Sequence, residues 1–269
     1  MGMLDGPGDS PNSRGSYMSS VSLALFCLAV LFVRIRLYSR IALPGSPGLD
    51  DLFIIFATIF LVPQTFAILM QVHAGWGEHT YNLTLEQQNK NQMYRYQYII
   101  FNFIVAFFTK LSISWLVLRM TAGATTFGRR YQLVIKAFIA FLIVRVITTV
   151  IVQSFPCWPV SNYWHLEIRP QGCFNLFGWI IATSCIETST DIICLLIPLP
   201  LLYIVKIGVL ERMILLGLFI LGAIPSGFAL MRTIQLVQWQ KDSGSLLQND
   251  FSWYLPLMRP CSIFPFQLF

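Results

Sequence analysis

The sequence predicts an all-α, multi-pass transmembrane helical bundle of seven helices, on the strength of three observations. Hydrophobic residues make up 56% of the 269 residues and charged residues only 11%, whereas a soluble globular chain carries roughly 25% charge. Apolar runs near the roughly 20 residues that cross a bilayer recur along the chain. Basic residues gather in alternate connections between these runs. Together these observations exclude a soluble enzyme, a disordered chain and a secreted disulfide scaffold.

The apolar runs divide the chain into a short tail and a bundle. Residues 1–16 are polar and rich in Gly, Pro and Ser, so we expect a disordered extracellular tail before a bundle over residues 17–269. The seventh span should be short or incomplete because it contains Arg259 and three prolines. The spans are expected at about residues 17–38, 50–73, 96–119, 131–155, 178–203, 212–234 and 251–269.

The basic residues predict the orientation of the bundle. Lysine and arginine are enriched in cytoplasmic connections, so the richer connections should face the cytoplasm and the amino terminus the outside. We therefore attribute the net charge of +6 to the basic residues that orient the protein in the membrane, and we expect no nucleic-acid partner. We expect the protein to reside in the plasma membrane, with an endomembrane as the alternative. The basic residues that set the orientation are Arg34, Arg36, Arg40, Arg119, Arg129, Arg130, Lys206 and Arg212.

Two features of the predicted outside connections agree with this orientation. Asn82 begins an Asn-Leu-Thr glycosylation sequon in the connection after span two. Cys157 and Cys173 share the connection after span four, where oxidising conditions permit a disulfide. The favoured interpretation is a Cys157–Cys173 disulfide, and the alternative is two free thiols.

Four ionisable residues interrupt the apolar spans. Such groups cost at least roughly 2.5 kcal/mol at membrane depth, so each needs a partner or water. Glu187 and Asp191 lie four residues apart and share one helix face, which should point into the bundle. Lys110 in span three is expected to pair with either carboxylate. Arg145 should pair with Glu187 or Asp191, or reach the outer interface.

These four residues are the candidate ligand-binding residues. In one interpretation they line a polar cavity for a ligand or substrate. In the other, given equal weight, the charges only hold the helices together, as buried ion pairs often do. No metal site and no cofactor is expected, because the histidines gather no convergent ligand set and nucleotide-binding and hydrolase motifs are absent.

Three local signals mark helix ends. Asp50 and Asp51 open span two and are expected to cap the helix and complement its dipole. Gly75 begins a Gly-Trp-Gly-Glu-His stretch that predicts a sharp turn with an aromatic anchor rather than a metal site. Pro198 and Pro200 should either kink span five or end it at Leu196–Ile197.

The order of these motifs resembles one family, the fungal rhodopsin-domain proteins, over roughly residues 20–260. No single motif is specific, but their order and spacing are. The residues that carry the resemblance are Asp50-Asp51, Gly75-Trp76-Gly77-Glu78-His79, Lys110-Leu111-Ser112-Ile113-Ser114 with Arg119, Cys157-Trp158-Pro159-Val160 with Trp164 and Cys173, Thr190-Asp191, Pro198-Leu199-Pro200, and Gly222 with Arg232.

The resemblance implies a seven-helix, rhodopsin-like fold with an outside disulfide and no established retinal chemistry. No lysine lies beyond Lys241 to hold a retinal Schiff base. Two departures from the family pattern stand out. Glu187 replaces an amide that is common before the Thr-Asp pair, and Ser262–Phe269 is apolar where a cytoplasmic tail is usual. We therefore expect a truncated or misspliced end.

The resemblance and the charged residues leave the functional class open between two main hypotheses, and the G protein and the secondary-metabolite pathway in them are what the resemblance implies. The first is a receptor-like protein that senses an extracellular or small lipophilic ligand, with a G protein as a possible partner and membrane lipid around it. The second is an intramembrane enzyme or accessory protein of a secondary-metabolite pathway, in which Glu187 or Asp191 acts as a general acid or base. The non-enzymatic hypothesis is favoured. A transporter is disfavoured because no inverted repeat is visible.

Overall fold

The computed structural model describes residues 15–42, 48–76, 83–121, 126–164 and 175–200, with isolated positions between 223 and 234. Within these ranges the chain is helical and contains no strand. The helices are α1 (Gly15–Ala42), α2 (Leu49–His73), α3 (Leu85–Met120), α4 (Thr126–Ser154) and α5 (Leu176–Leu196), with a short 3-10 helix at Val160–Tyr163.

The described helices confirm the predicted multi-pass, all-α architecture. Five of them are long and apolar enough to cross a membrane, since a helix of about 20 residues spans the hydrocarbon core. A helix satisfies its own backbone hydrogen bonds, so it is the element that such apolar sequence adopts in lipid. The predicted seventh span and most of the sixth, with the tail over residues 1–14, lie outside the described residues.

Helix α3 begins earlier than the apolar pattern predicts. The sequence places span three at about residues 96–119, whereas the helix runs from Leu85 for 36 residues. The Thr84 hydroxyl accepts the Gln87 backbone N–H at 3.4 Å, and the Gln87 side chain accepts the Thr84 backbone N–H at 2.9 Å. This reciprocal capping fixes the helix start. The polar first turns carry no apolar face, so the apolar pattern that predicts the span does not include them.

Helix α3 is the helix on which most of the other described helices pack. Helix α1 packs on α2, α2 packs most extensively on α3, and α4 and α5 also pack on α3. Between α2 and α3 the rings of Phe56 and Phe60 stack on Phe108 at centroid distances of 5.6 and 5.9 Å. Helix α3 therefore contacts α2, α4 and α5. A second cluster joins α3, α4 and α5 and contains Leu111, Val117, Ile135, Phe138, Ile139, Leu142, Cys194 and Ile197.

Of the two outcomes predicted for the Pro198 and Pro200 region, the structure shows the helix end. Helix α5 stops at Leu196, and residues 197–200 form a turn. The Tyr131 hydroxyl on α4 donates a hydrogen bond to the Ile197 carbonyl. This contact satisfies a carbonyl at the helix end and ties α5 to the start of α4.

The turn predicted at Gly75 is present. Gly75 has φ of 92°, in the left-handed region that favours glycine. A side chain at this position would also collide with Leu83. The turn thus brings the end of α2 back against the approach to α3, and Trp76 packs beside Ile68 and Tyr98.

Candidate functional site

Lys110 is the centre of a polar cluster between α3 and α5. Its side chain is buried, and its three N–H donors have three acceptors. The ammonium group contacts a Glu187 carboxylate oxygen, lies 2.8 Å from Asp191 Oδ1 and donates to the Thr190 hydroxyl at 2.8 Å. The sequence offered Glu187 and Asp191 as alternative partners for this lysine. The structure brings both to it.

The acceptors lie on one face of α5 because of helical spacing. Residues three and four apart are neighbours on a helix, so Glu187, Thr190 and Asp191 point the same way. The Thr190 hydroxyl donates its own proton to the Glu187 backbone carbonyl at 2.8 Å. Its oxygen is thereby oriented to accept from Lys110. The sequence singled out Thr190 only as part of the Thr190-Asp191 pair, because its role depends on the facing helix.

Arg145 on α4 completes the cluster. Of its predicted alternatives, the structure shows an ion pair with the second carboxylate oxygen of Glu187. The guanidinium carbon lies 5.9 Å from the centre of the Phe103 ring on α3, a distance compatible with a cation–π contact. Glu187 is consequently held between two cations from two different helices.

The cluster is electrically balanced, with Lys110 and Arg145 facing Glu187 and Asp191. Opposite charges in this arrangement reduce the cost of placing ionised groups at membrane depth. Hydrogen-bonding capacity remains at two of the residues. Among the described residues Asp191 accepts only from Lys110 through one oxygen, and its side chain is 29% exposed. Arg145 uses one of its five N–H donors on Glu187.

A second charged network lies where α1 ends, α2 begins and α3 ends, which we call the basic end. Arg36 on α1 contacts both aspartates, at 3.0 Å from Asp50 and 3.3 Å from Asp51. Arg119 on α3 lies 3.4 Å from Asp50. Arg40 lies farther away, at 3.8 Å from Asp50. The two carboxylates therefore join three helices.

The predicted capping by Asp51 is present but is only part of its role. The Asp51 carboxylate accepts the Gly48 backbone N–H at 3.2 Å, as a helix-start acid does. Sequence reasoning assigned Arg36 and Arg119 to membrane orientation and did not connect them with these aspartates. Their positions at consecutive helix ends on one side of the membrane were the signal that could have linked them.

Helix α3 connects the two networks. The Ser112 hydroxyl, two residues after Lys110, donates to the Asp50 backbone carbonyl at 2.8 Å. Arg119 follows on the same helix and contacts the Asp50 side chain. Lys110 and Arg119 are about 14 Å apart along α3, since a helix rises ~1.5 Å per residue. A movement of α3 at Lys110 would therefore also change the contacts of Ser112 and Arg119 with Asp50.

Helix α5 also contacts the predicted sixth span. The Thr188 hydroxyl lies 3.0 Å from the Thr233 hydroxyl in a hydrogen bond. Thr188 is next to Glu187, so the same helix turn touches both the charged cluster and the predicted sixth span. The charged cluster is thus connected to several helices of the bundle.

The remaining sequence-predicted sites are tested only in part. Cys157 is buried, whereas Cys173 and Asn82 lie outside the described residues. The predicted disulfide and glycan therefore stay predictions. Within the described ranges no three His, Cys, Asp or Glu side chains gather in a group that could hold a metal ion.

Comparison with known families identifies the chain. The model of the fungal rhodopsin domain matches residues 35–257, which is most of the sequence and includes both charged networks. The chain belongs to the fungal rhodopsin domain family. It is thus a multi-pass membrane protein of this family, as its motifs predicted. Neither a curated protein nor a solved structure gives a significant match.

Proposed function

We propose that this fungal rhodopsin-domain protein is a receptor-like sensor of a small lipophilic ligand. The observation that carries the proposal is the Lys110–Glu187–Asp191–Arg145 cluster, which joins three helices at membrane depth. A ligand that competes for one of these ion pairs changes the packing of α3 against α4 and α5. Functional sites inside membranes are marked by ionisable groups of this kind.

The open hydrogen-bonding groups suggest the chemistry of the ligand. Among the described residues Asp191 has an uncommitted carboxylate oxygen and Arg145 has uncommitted N–H donors. The four charges of the cluster already balance, so an added charge would lack a counter-ion within it, whereas a neutral ligand adds none. We infer a neutral, lipophilic compound with a hydroxyl group for Asp191 and a carbonyl or ether oxygen for Arg145.

The signal would travel along α3 to the basic end. Displacing Lys110 from its carboxylates moves the helix that also carries Ser112 and Arg119 to Asp50. The basic end would face the cytoplasm and the amino terminus the outside, in a plasma membrane or an endomembrane. A G protein is the partner proposed there, and the Cys157–Cys173 disulfide and a glycan on Asn82 would lie on the opposite side.

An intramembrane acid–base enzyme of secondary metabolism is the competing function, and one observation favours it. Asp191 is the most exposed member of the cluster, and one of its oxygens has no partner within the part of the chain that the structure describes, as a proton-transferring carboxylate requires. Glu187 is less suited, because two cations hold it as a carboxylate. The enzyme hypothesis therefore depends on Asp191 alone.

One set of variants separates these functions. The full chain and its Glu187→Gln and Asp191→Asn variants are expressed in cells with a G-protein reporter and exposed to sterols, terpenoid alcohols and fatty alcohols. The same membranes are assayed for conversion of these compounds. Ser189→Ala is the matched control, because its exposed hydroxyl on α5 donates only to the Cys185 carbonyl.

A sensor predicts a reporter response that both cluster variants weaken and the Ser189 variant keeps, with no compound converted. Conversion that is lost in Asp191→Asn would instead identify an enzyme. If both cluster variants fold and behave as the parent in both assays, the cluster only holds the helices together and the sensor proposal is wrong.

A further inference from the structure

Three arginines gather at the carboxylates of the basic end. Among the described residues Arg36, Arg40 and Arg119 lie 3.0, 3.8 and 3.4 Å from Asp50. Guanidinium groups that lie close together in this way can attract an anion such as a phosphate.

The two kinds of charge lie in separate layers. The side chain of Asp50 is fully buried, that of Asp51 is 4% exposed, and those of Arg36 and Arg40 are 30% and 33% exposed. A group that approaches from the surface therefore meets guanidinium groups first. The carboxylates behind them hold the arginines in position, which reduces the side-chain entropy that a ligand would have to overcome.

Arg40 has the most open donors in this network. Its nitrogens lie 3.8 Å from Asp50 and 4.0 Å from Asp51, beyond the usual range of a hydrogen bond. Among the described residues it makes ion pairs but no hydrogen bond. Its planar N–H groups therefore remain available to a phosphate, which guanidinium binds in a bidentate manner.

The surroundings of Arg40 favour a lipid as the source of that phosphate. Helix α1 is an apolar helix with exposed Ile35, Tyr38 and Ile41 beside the arginines. These side chains suit acyl chains, and the arginines at the end of the same helix suit the headgroup level. We propose that Arg36, Arg40 and Arg119 form a site for the phosphomonoester headgroup of an anionic phospholipid.

The test uses the purified full chain in phosphatidylcholine nanodiscs. Dioctanoyl phosphatidic acid is titrated in, and its Kd is measured by thermophoresis beside dioctanoyl phosphatidylcholine and inorganic phosphate. Arg40→Gln should raise the Kd for phosphatidic acid about fivefold, the effect of one basic residue near a membrane surface. The matched control is Arg130→Gln, because Arg130 is exposed near the start of α4 and contacts neither aspartate.

The proposal expects phosphatidic acid to bind more tightly than phosphatidylcholine to the unmodified protein, and only Arg40→Gln to weaken it. Equal binding of the two lipids overturns it, whatever the variants do. Equal weakening by both arginine variants also overturns it, because the attraction is then diffuse. Displacement of the lipid by inorganic phosphate at matched concentration shows that the ligand is free phosphate, which contradicts a lipid site.

Discussion

The ammonium group of Lys110 lies 2.8 Å from a carboxylate oxygen of Asp191, and this contact joins α3 to α5 inside the bundle. The same ammonium group also contacts Glu187, which in turn pairs with Arg145 on α4. Three helices are therefore held by one connected set of charges. Removing one charge affects the other members, because Lys110 and Glu187 link all four side chains.

Lys110→Met should destabilise the protein strongly, because two carboxylates would be left with a single cation. Removing one partner of a buried ion pair costs about 3 kcal/mol or more of the free energy of unfolding. The double variant Lys110→Met/Asp191→Asn removes one charge of each sign and should recover much of this loss. Unfolding in a denaturing detergent measures both.

Thr109→Val is the control for these variants, because the Thr109 hydroxyl donates only to the Val105 carbonyl on the same helix. It should leave the free energy of unfolding nearly unchanged. A double variant no more stable than Lys110→Met would show that charge balance is not what stabilises the cluster.

Asp50→Asn should lower the melting temperature far more than Glu86→Gln. Asp50 is fully buried and faces arginines from two helices. Glu86 pairs with Lys90 at 2.7 Å, but both side chains are largely exposed, and exposed pairs contribute little. Thermal unfolding monitored by circular dichroism compares the two, and equal melting temperatures would speak against a structural role for the basic-end network.

Gln64 and Asn102 should be energetically coupled across α2 and α3. The Gln64 amide donates to the Asn102 side-chain oxygen at 3.2 Å, at a position where Gln64 is almost fully buried. In a double-mutant cycle of Gln64→Leu and Asn102→Leu we expect a coupling of about 0.6 kcal/mol, the average for interhelical hydrogen bonds in membranes.

The distant pair Gln64→Leu and Ser189→Ala serves as the reference cycle and should be additive. A Gln64–Asn102 cycle that is equally additive would mean that the hydrogen bond makes no net contribution to stability.

Stability should fall above about pH 10 because of Tyr163, the last residue of the 3-10 helix after α4. Burial raises the pKa of the Tyr163 hydroxyl, although the nearby Arg95 charge lowers it and Tyr96 adds to the rise. Above the pKa of the unfolded chain, the unfolded state binds fewer protons than the folded state, so the free energy of unfolding decreases as pH rises.

Tyr163→Phe removes this titrating group and should flatten the alkaline part of the stability curve. Unfolding measured over a pH series, with ultraviolet titration of the tyrosines, tests the expectation. An unchanged slope in the variant would assign the effect to another group.

Asn82→Gln should increase gel mobility if the connection after α2 faces the outside. The sequon is reached by the glycosylation machinery only on that side of the membrane, so the wild-type band should shift on glycosidase treatment and the variant band should not. A wild-type protein that is insensitive to glycosidase, although an engineered outside sequon is modified, would contradict the proposed orientation.

Much of the fold follows from local patterns in the sequence. The apolar runs that give α1, α2, α4 and α5 are visible directly, because each helix satisfies its own backbone in lipid and needs no partner to form. The turn at Gly75 was also predicted, and the end of α5 before Pro198 was one of two predicted alternatives, since both depend on the conformational limits of single residues. The early start of α3 at Leu85 was missed, although Thr84 and Gln87 have the spacing of a capping pair.

By itself the sequence determined which residues are placed in lipid and which side chains share a helix face. Glu187 and Asp191 had to lie on the same face of the helix, because helical spacing alone dictates this. Only the tertiary structure decided which ion pairs form between helices. Lys110 pairs with both Glu187 and Asp191, and Arg145 pairs with Glu187. Arg36 and Arg119 both pair with Asp50. The physical reason is that periodicity fixes directions within one helix, whereas ion pairs between helices depend on how neighbouring helices are rotated and packed.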